Sequence, residues 1–147
     1  MNPDPLAAFE TRDPSRFNVE CVIRYADLDP NDHVNHARYL VYLEEARLAL
    51  RRDLGRDPGL PDGVIWPVAE LTIRYRRAAV YPGSLTVELA PIHVGRTSFT
   101  LGYGIFDQTG CVAAASNRVV GVDLASGRPV PIPADMVKRL RHLGKIA

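Results

Sequence analysis

The sequence has few cysteines and no long apolar run, and each shortage argues against a class of protein. Its two cysteines, Cys21 and Cys111, are too few for a disulfide framework or a cysteine metal site. No apolar run approaches the ~18 residues that a membrane-spanning helix needs, so we expect no membrane insertion. The first residues lack the basic start and apolar stretch of a signal peptide, which favours a cytoplasmic location.

Lysine is also scarce, because among 18 basic residues only Lys138 and Lys145 are lysines. With 17 acidic residues, the formal net charge is +1 at pH 7. The arginines are scattered and no basic block alternates with aromatic residues, so no nucleic-acid partner is expected. A chain of 147 residues, 46% of them hydrophobic, suits a single domain over 1–147 with one core.

The N-terminal third predicts an arm, a strand and a polar loop. Residues 1–15 contain three prolines and little periodicity, so we expect an arm. From 18 to 25 apolar residues alternate with polar ones, which is the period of a half-buried strand. This pattern places Tyr25 on the core face of the strand. The segment 27–35 is polar and is expected to form a loop.

A stripe of apolar residues at helical spacing predicts a long helix over 36–54. Asn35 can cap the start of this helix, because its side chain can accept a hydrogen bond from an amide of the first turn. Gly55 is a natural stop just beyond the last apolar residue. Residues 56–63 contain two prolines and two glycines and indicate a loop.

The rest of the chain predicts strands separated by short turn signals, and then a short helix. The first strand alternates, with Ala69 on its apolar face. Two prolines introduce a short basic helix over 134–143, inside a C-terminal segment 131–147. The four strand candidates are 64–76, 85–94, 97–106 and 111–122.

The predicted order is therefore strand, helix and then four strands joined mostly by hairpins. This order gives an antiparallel sheet with one long helix packed against it, an α+β arrangement. The helix has a broad apolar face, and a sheet that curves around it would satisfy both patterns.

The segment Asp27-Leu-Asp-Pro-Asn-Asp-His-Val-Asn35 carries a resemblance. Its element Asp-x-Asp-x-x-x-His-Val-Asn, a few residues before Tyr-Leu and Glu-Glu-Ala-Arg, resembles the signature of hotdog-fold acyl thioesterases. This is the group of 4-hydroxybenzoyl-CoA thioesterase and acyl-ACP thioesterase. The strand order over about residues 16–124 is similar too. The resemblance implies a hotdog fold, a curved antiparallel sheet wrapped around one long central helix, and no metal or other cofactor.

Thioester hydrolysis needs a base or nucleophile beside the carbonyl carbon and hydrogen-bond donors for the developing oxyanion. Asp29 follows a strand and precedes the long helix, so its carboxylate can lie near the unpaired N–H groups of the helix start, around 36–38. The resemblance implies that Asp29 activates water or attacks directly. It also implies that the backbone amide of His36 polarises the thioester carbonyl.

The resemblance assigns further catalytic roles within the same segment. It implies that Asn31 orients the carboxylate or water and that His33 or His36 assists, and the sequence leaves open which histidine does so. Asp32 stands where many relatives have glycine, so the turn of the loop is an open question. These carboxylates and imidazoles are also ligand types for a divalent metal, but the resembled family needs none. Asp27 is expected to be a structural acceptor that fixes the loop or pairs with an arginine.

Substrate contacts are predicted at positions that also have plain structural interpretations. Asn35 is a helix cap in that interpretation, and Tyr39 is a core residue. Arginines on the first of the four later strands could meet the phosphates of coenzyme A, or they could form the solvated face of that strand. The predicted substrate-binding residues are Asn35, Tyr39, Arg76, Arg96 and Ser98.

The leading hypothesis is a thioesterase acting on acyl-CoA or on an acyl carrier protein thioester. The alternatives are a hotdog hydratase or dehydratase, and a hotdog protein that binds acyl-CoA without catalysis. An exposed sheet edge on a small domain favours pairing with a second copy. The resemblance implies a homodimer or a dimer of dimers, with each active site between subunits.

Overall fold

Strand and helix patterns in the sequence become a five-stranded sheet, a two-stranded sheet and two helices in the computed structural model. The structure describes residues 3–55 and 63–147, so the predicted loop over 56–63 lies almost wholly outside the described residues. Within the described ranges the elements are β1 (Phe17–Val22), α1 (Tyr39–Asp53), β2 (Val64–Ile65), β3 (Val68–Tyr75), β4 (Ser84–Val94), β5 (Ser98–Asp107), β6 (Gly110–Val120), β7 (Val122–Asp123) and α2 (Ala134–Gly144).

The larger sheet is antiparallel, with the strand order β1-β4-β5-β6-β3, and β2 pairs with β7 beside it. The apolar stripe of α1 packs on the inner face of this sheet, with Leu43 and Ala46 fully buried. Facing them are buried residues such as Leu101 and Ile105 on β5. The predicted α+β class and hotdog fold are confirmed.

The connection between β3 and β4 differs from the prediction. Hairpins join β4 to β5 and β5 to β6, as expected, but β3 lies at the far edge of the sheet beside β6. The chain therefore crosses the sheet between β3 and β4. The predicted strand 64–76 is also broken at Pro67, which has no N–H for the ladder. A bulge between Val68 and Glu70 then turns Ala69 out to solvent, contrary to the predicted alternation.

The predicted end of the first strand is wrong by three residues. β1 ends at Val22, and Tyr25 begins a single 3-10 turn in which its side chain is 75% exposed. The cause is a local contact, because the N–H of Arg24 donates to the carboxylate of Asp27 and draws the backbone into a turn. Strand alternation therefore cannot continue to Tyr25.

The helix signals are confirmed. The Asn35 side chain accepts from the N–H of Ala37 at 2.9 Å and caps a 3-10 turn, His36–Arg38, that leads into α1. Beyond α1, Gly55 has a φ of 74°, a conformation that favours glycine at a helix end. The predicted C-terminal helix is α2. No helix among the described residues is long and apolar enough to cross a membrane.

The N-terminal arm lies across the outer face of the sheet, away from α1. Leu6 and Phe9 are each 3% exposed and pack against Ala114 of β6. Phe9 also fills the space above Gly102 of β5, where a Cβ atom would collide with its ring. The missing side chain at Gly102 is therefore what lets the arm approach the strand.

A buried carboxylate on the outer face fixes the next part of the arm. Glu88 of β4 is 1% exposed, accepts from the N–H of Asp13 at 2.9 Å and pairs with Arg12 at 3.2 Å. A buried charge needs such partners, because an unpaired one costs several kcal/mol. The arm is therefore held by both apolar packing and charge.

We predict that Gly102→Ala destabilises the protein by about 2 kcal/mol, because the added methyl group overpacks against Phe9. Phe9→Ala alone should cost about 3 kcal/mol through the cavity it leaves. In the Phe9→Ala background, Gly102→Ala should cost much less than in the native chain, as urea denaturation of the four proteins would show. Fully additive effects would mean that Phe9 does not lie over Gly102.

Candidate active site

The catalytic segment predicted from the sequence begins with a fully buried carboxylate. Asp27 accepts hydrogen bonds from the Arg24 N–H at 3.0 Å, the Arg24 guanidinium at 3.0 Å and the Tyr42 hydroxyl at 2.7 Å. Burial acts to raise the pKa of Asp27, but these hydrogen bonds together outweigh it and hold the pKa below its usual value. The prediction that Asp27 is a structural acceptor paired with an arginine is confirmed.

The loop that follows is closed by its own backbone. The N–H of Asn35 donates to the carbonyl of Asp27 at 2.8 Å, and the N–H of Asp29 donates to the carbonyl of His33 at 2.9 Å. A further bond from the N–H of Val34 ties the loop to the segment before β4. The loop is therefore a short, tightly closed turn and not a free tether.

Asp32 explains how this turn is made without glycine. Its φ is 59°, in the left-handed region that glycine adopts without strain. Its N–H donates to the carbonyl of Asp29 at 3.1 Å, which closes the tip of the turn. Aspartate tolerates this conformation better than most residues. Asp32 thus takes the conformation expected of the glycine that it replaces.

The loop and the end of β3 border an open cleft of about 370 Å³. Its walls contain five of the nine residues predicted for the site, and they also contain four others. The predicted residues are Asp29, His33, His36, Tyr39 and Arg76; the others are Val34, Tyr75, Arg77 and Ala78.

Asn31 and Asn35, two predicted site residues beside the cleft, make hydrogen bonds within the loop and the turn that follows it. The N–H of Asn31 donates to the carboxylate of Asp29 at 2.8 Å, so Asn31 orients the carboxylate through its backbone. The Asn35 side chain caps the turn before α1. Neither side chain lines the cleft.

Arg96 and Ser98 lie elsewhere in the chain. They flank the turn from β4 to β5, whereas the cleft is at the sheet end where β5 turns into β6. At the cleft end of the sheet, Arg77 pairs with Asp107, the last residue of β5, with a shortest N–O distance of 2.7 Å. The structure therefore does not bring Arg96 or Ser98 into the cleft of their own chain.

Arg76 lines the cleft, but its guanidinium already has a partner. Its Nε and Nη2 atoms donate to the carboxylate of Glu10 in the arm at 3.0 and 2.6 Å. Arg74 donates to Glu10 and to Asp4. Hydrogen bonds from Arg76 and then Arg74 lower the pKa of Glu10. Arg74 of β3 and Arg76 just beyond it therefore form an ion-pair network with the arm, and they are neither a free phosphate site nor a purely solvated face.

Tyr75 is one of the four lining residues that the sequence did not place in the site. Alternation assigned it to the apolar face of a strand, where Ile73 precedes it on the same face. Its position as the last residue of β3, where the inner face meets solvent, was the available signal. The structure leaves it 43% exposed in the cleft.

A second, more enclosed cavity of about 190 Å³ lies at the other end of α1. It separates the C-terminal half of α1 from β5 and β6, with Trp66 just before β3 among its walls. Apolar side chains such as Phe99 and Leu101 face Leu48 and Arg47 of α1 across it.

Within the described ranges, no group of three or more histidine, cysteine, aspartate or glutamate side chains is arranged to hold a metal ion.

Comparison with known proteins places this chain among thioesterases. Residues 23–140 match the model of the thioesterase-like superfamily. The candidate acyl-CoA thioesterase YneP of Bacillus subtilis is 31% identical over 115 residues, covering 76% of this chain and 83% of YneP. The acyl-CoA thioesterase YbgC of Haemophilus influenzae is 28% identical over 130 residues, covering 86% and 96%. The crystal structure of a Thermus thermophilus thioesterase complexed with coenzyme A and Zn superposes with a TM-score of 0.76 at 26% identity, covering 88% of this chain and 95% of that one.

We predict that Asp27→Asn lowers the free energy of unfolding by about 2 kcal/mol at pH 7, because hydrogen bonds to a charged group are lost. The pKa of Asp27 is lowered on folding, so its contribution is complete above the unfolded value of about 3.9. The contribution is lost as pH falls through the lowered pKa. Urea denaturation at pH 7 and pH 3 should show the gap between native and variant protein narrowing at the lower pH.

Asp32→Asn is the matched control, because Asp32 is an exposed carboxylate in the same loop. It should change stability at pH 7 by less than about 0.5 kcal/mol. A gap for Asp27→Asn that is the same at both pH values would contradict the role given to its charge.

Proposed function

This chain belongs to the thioesterase-like superfamily, and on that premise we propose that it hydrolyses acyl-CoA thioesters at the cleft beside Asp29. The observation that carries the proposal is that Asp29, His33 and His36 line one cleft beside the turn that leads into α1. A carboxylate that acts as base or nucleophile, an assisting imidazole and a free backbone amide are groups that serve acyl transfer to water. The acyl-CoA thioesterases similar to this chain support coenzyme A as the leaving group.

The half-buried carboxylate of Asp29 is the group that acts on the carbonyl carbon. As a general base it takes a proton from water, the hydroxide adds to the carbonyl, and the C–S bond breaks. The thiolate then takes a proton, so that water and thioester give carboxylic acid and thiol. As a nucleophile, Asp29 instead adds to the carbonyl carbon and displaces the thiolate, which leaves as the thiol, and water then hydrolyses the mixed anhydride to the carboxylic acid and the free Asp29 carboxylate. The hydrogen bond from the Asn31 N–H holds the carboxylate in place for either route.

The donor for the developing oxyanion is the first amide of the turn that leads into α1. Within residues 3–55 and 63–147 the N–H of His36 has no hydrogen-bond acceptor, whereas the N–H of Ala37 is used by the Asn35 cap. A free N–H at a helix start is a favourable site for negative charge. His36 is therefore the amide assigned to the thioester carbonyl oxygen.

The protein acts as a homodimer in this proposal, paired through β3. This strand is an edge of the sheet, and its outer side has unpaired backbone groups. Antiparallel pairing of two copies would set the Trp66 end of one β3 beside the Tyr75 end of the other. Arg96 and Ser98 lie at the Trp66 end of the molecule. They would then approach the cleft of the partner subunit, which accounts for their distance from the cleft in one chain.

In the same dimer, the second cavity would bind the acyl group of the substrate. At about 190 Å³ it is somewhat larger than the ~150 Å³ apolar cavity that accepts benzene in another protein. Its walls, among them Leu48 and Phe99, are mostly apolar. It would hold the acyl group of a thioester bound in the partner's cleft, and its size suits an aromatic ring or a short aliphatic chain.

We predict that Asp29→Asn lowers the rate of thiol release from acyl-CoAs by ~100-fold or more, a loss typical of a missing catalytic base. The measurement is a panel of short, long and aromatic acyl-CoAs with native and variant protein. Asp32→Asn is again the matched control and should keep the native rate, because its carboxylate does not line the cleft.

Undiminished turnover by Asp29→Asn would mean that the site is wrong. If the native protein releases no thiol from any member of the panel, the leaving group is an acyl carrier protein or the protein binds without catalysis. A binding measurement with a non-hydrolysable acyl-CoA would separate these two outcomes.

We predict that two defective chains restore each other in mixed dimers. Leu48→Trp should fill the cavity and slow turnover of ring-sized acyl groups, while Asp29→Asn removes the carboxylate. In a dimer of one chain of each kind, the intact Asp29 faces the open cavity of its partner. Co-expression with two different tags and purification through both should therefore recover activity.

Turnover of acetyl-CoA by the Leu48→Trp protein is the internal control, because an acetyl group does not need the cavity. Mixed dimers no more active than the two homodimers would contradict a cavity shared across the interface. Activity of Leu48→Trp equal to native on every substrate would remove the cavity from the site.

A further inference from the structure

Tyr75 joins the sheet edge to the segment that carries the proposed catalytic groups. It is the last residue of β3, and its hydroxyl donates to the backbone carbonyl of His36 at 2.7 Å. Its ring stands edge-on to that of Tyr39, with 5.2 Å between the centroids and 76° between the planes. Both rings line the cleft.

The carbonyl that Tyr75 holds belongs to the turn that presents His36 to the cleft. On the loop side this turn is fixed by the Asn35 cap. On the sheet side this turn is held by the Tyr75 hydroxyl, whereas the neighbouring Tyr39 hydroxyl accepts from the N–H of Ala79. The phenol therefore fixes one face of the turn whose free amide is assigned to the oxyanion.

The chemistry of the phenol suits a fixed donor and not a proton-transfer group. Burial raises the pKa of Tyr75 above its ordinary value near 10, so the hydroxyl keeps its proton at neutral pH. Its acceptor is a backbone carbonyl, which does not titrate. The hydrogen bond thus keeps the same form throughout the neutral pH range.

We propose that Tyr75 is a positioning residue for thioester hydrolysis, which holds the His36 turn so that its amide meets the oxyanion in the transition state. This inference rests on the proposed function of the cleft. Displacement of a catalytic group by about 1 Å can lower the rate ~100-fold. Loss of a direct oxyanion donor lowers kcat by roughly 10²–10³-fold in other enzymes. Tyr75 acts through the backbone, so its hydroxyl should contribute less, about 10-fold.

Tyr75→Phe separates this role from simple packing, because it keeps the ring against Tyr39 and removes only the hydroxyl. Tyr81→Phe is the matched control, because Tyr81 is 47% exposed, has an edge-on partner in Tyr25 and does not line the cleft. Both variants are made in the full chain. The measurements are kcat and KM with the best substrate of the acyl-CoA panel, between pH 6 and pH 8, and the midpoint of thermal unfolding.

We expect Tyr75→Phe to lower kcat about 10-fold at every pH, with KM within about twofold, because a contact that matters in the transition state was weakened. Its unfolding midpoint should stay within about 4 °C of native, as for the loss of one exposed hydrogen bond. Tyr81→Phe should match the native protein in all three quantities.

Native kcat in Tyr75→Phe would overturn the proposal, and so would a loss confined to KM. A loss of kcat that changes with pH would overturn it too, because it would make Tyr75 an acid or base. These outcomes count against Tyr75 alone when Asp29→Asn is inactive. If Asp29→Asn keeps its turnover, the site itself is wrong and the Tyr75 proposal is overturned with it.

Discussion

The buried carboxylate of Asp27 holds the proposed catalytic segment against α1, and the shape of the cleft depends on it. Three donors from Arg24 and Tyr42 satisfy its side chain, and its backbone carbonyl accepts from the N–H of Asn35. One residue therefore anchors both ends of the loop and ties them to the helix. A carboxylate without these partners would be too costly to bury, so the loop and the first half of α1 must form together.

The loop, once anchored, keeps the carboxylate proposed to act in hydrolysis at the edge of the core. Asp29 is two residues beyond the anchor, in a turn that closes through the left-handed backbone of Asp32. Its carboxylate remains half-exposed and accepts from the N–H of Asn31. The start of α1 is fixed separately, by the Asn35 cap and the Tyr75 hydroxyl. The carboxylate of Asp29 and the amide of His36 thus have independent supports beside one cleft.

The two faces of the sheet are covered by different parts of the chain. The inner face covers α1, and the outer face is covered by the arm, so β5 is buried on both sides from Phe99 to Phe106 except at Thr100. This explains why β5 lacks polar alternation and has two glycines, since the arm needs space over Gly102. The arm also brings Glu10 to Arg76, so the charge of an arginine in the cleft is already balanced before any phosphate approaches.

The sequence by itself determined the elements, the cap at Asn35, the stop at Gly55, the structural role of Asp27 and the segment that lines the cleft. These features depend on neighbours within a few residues, and period, capping and turn chemistry report such neighbours directly. The family resemblance added the fold.

Only the tertiary structure decided that β3 lies at the far edge, that Ala69 faces solvent and that Tyr75 reaches His36. It also decided that Arg76 pairs with Glu10, and that Arg96 and Ser98 lie away from the cleft of their own chain. Strand order, bulges and side-chain partners depend on hydrogen bonds between residues far apart in the chain, and no local pattern in the sequence records them.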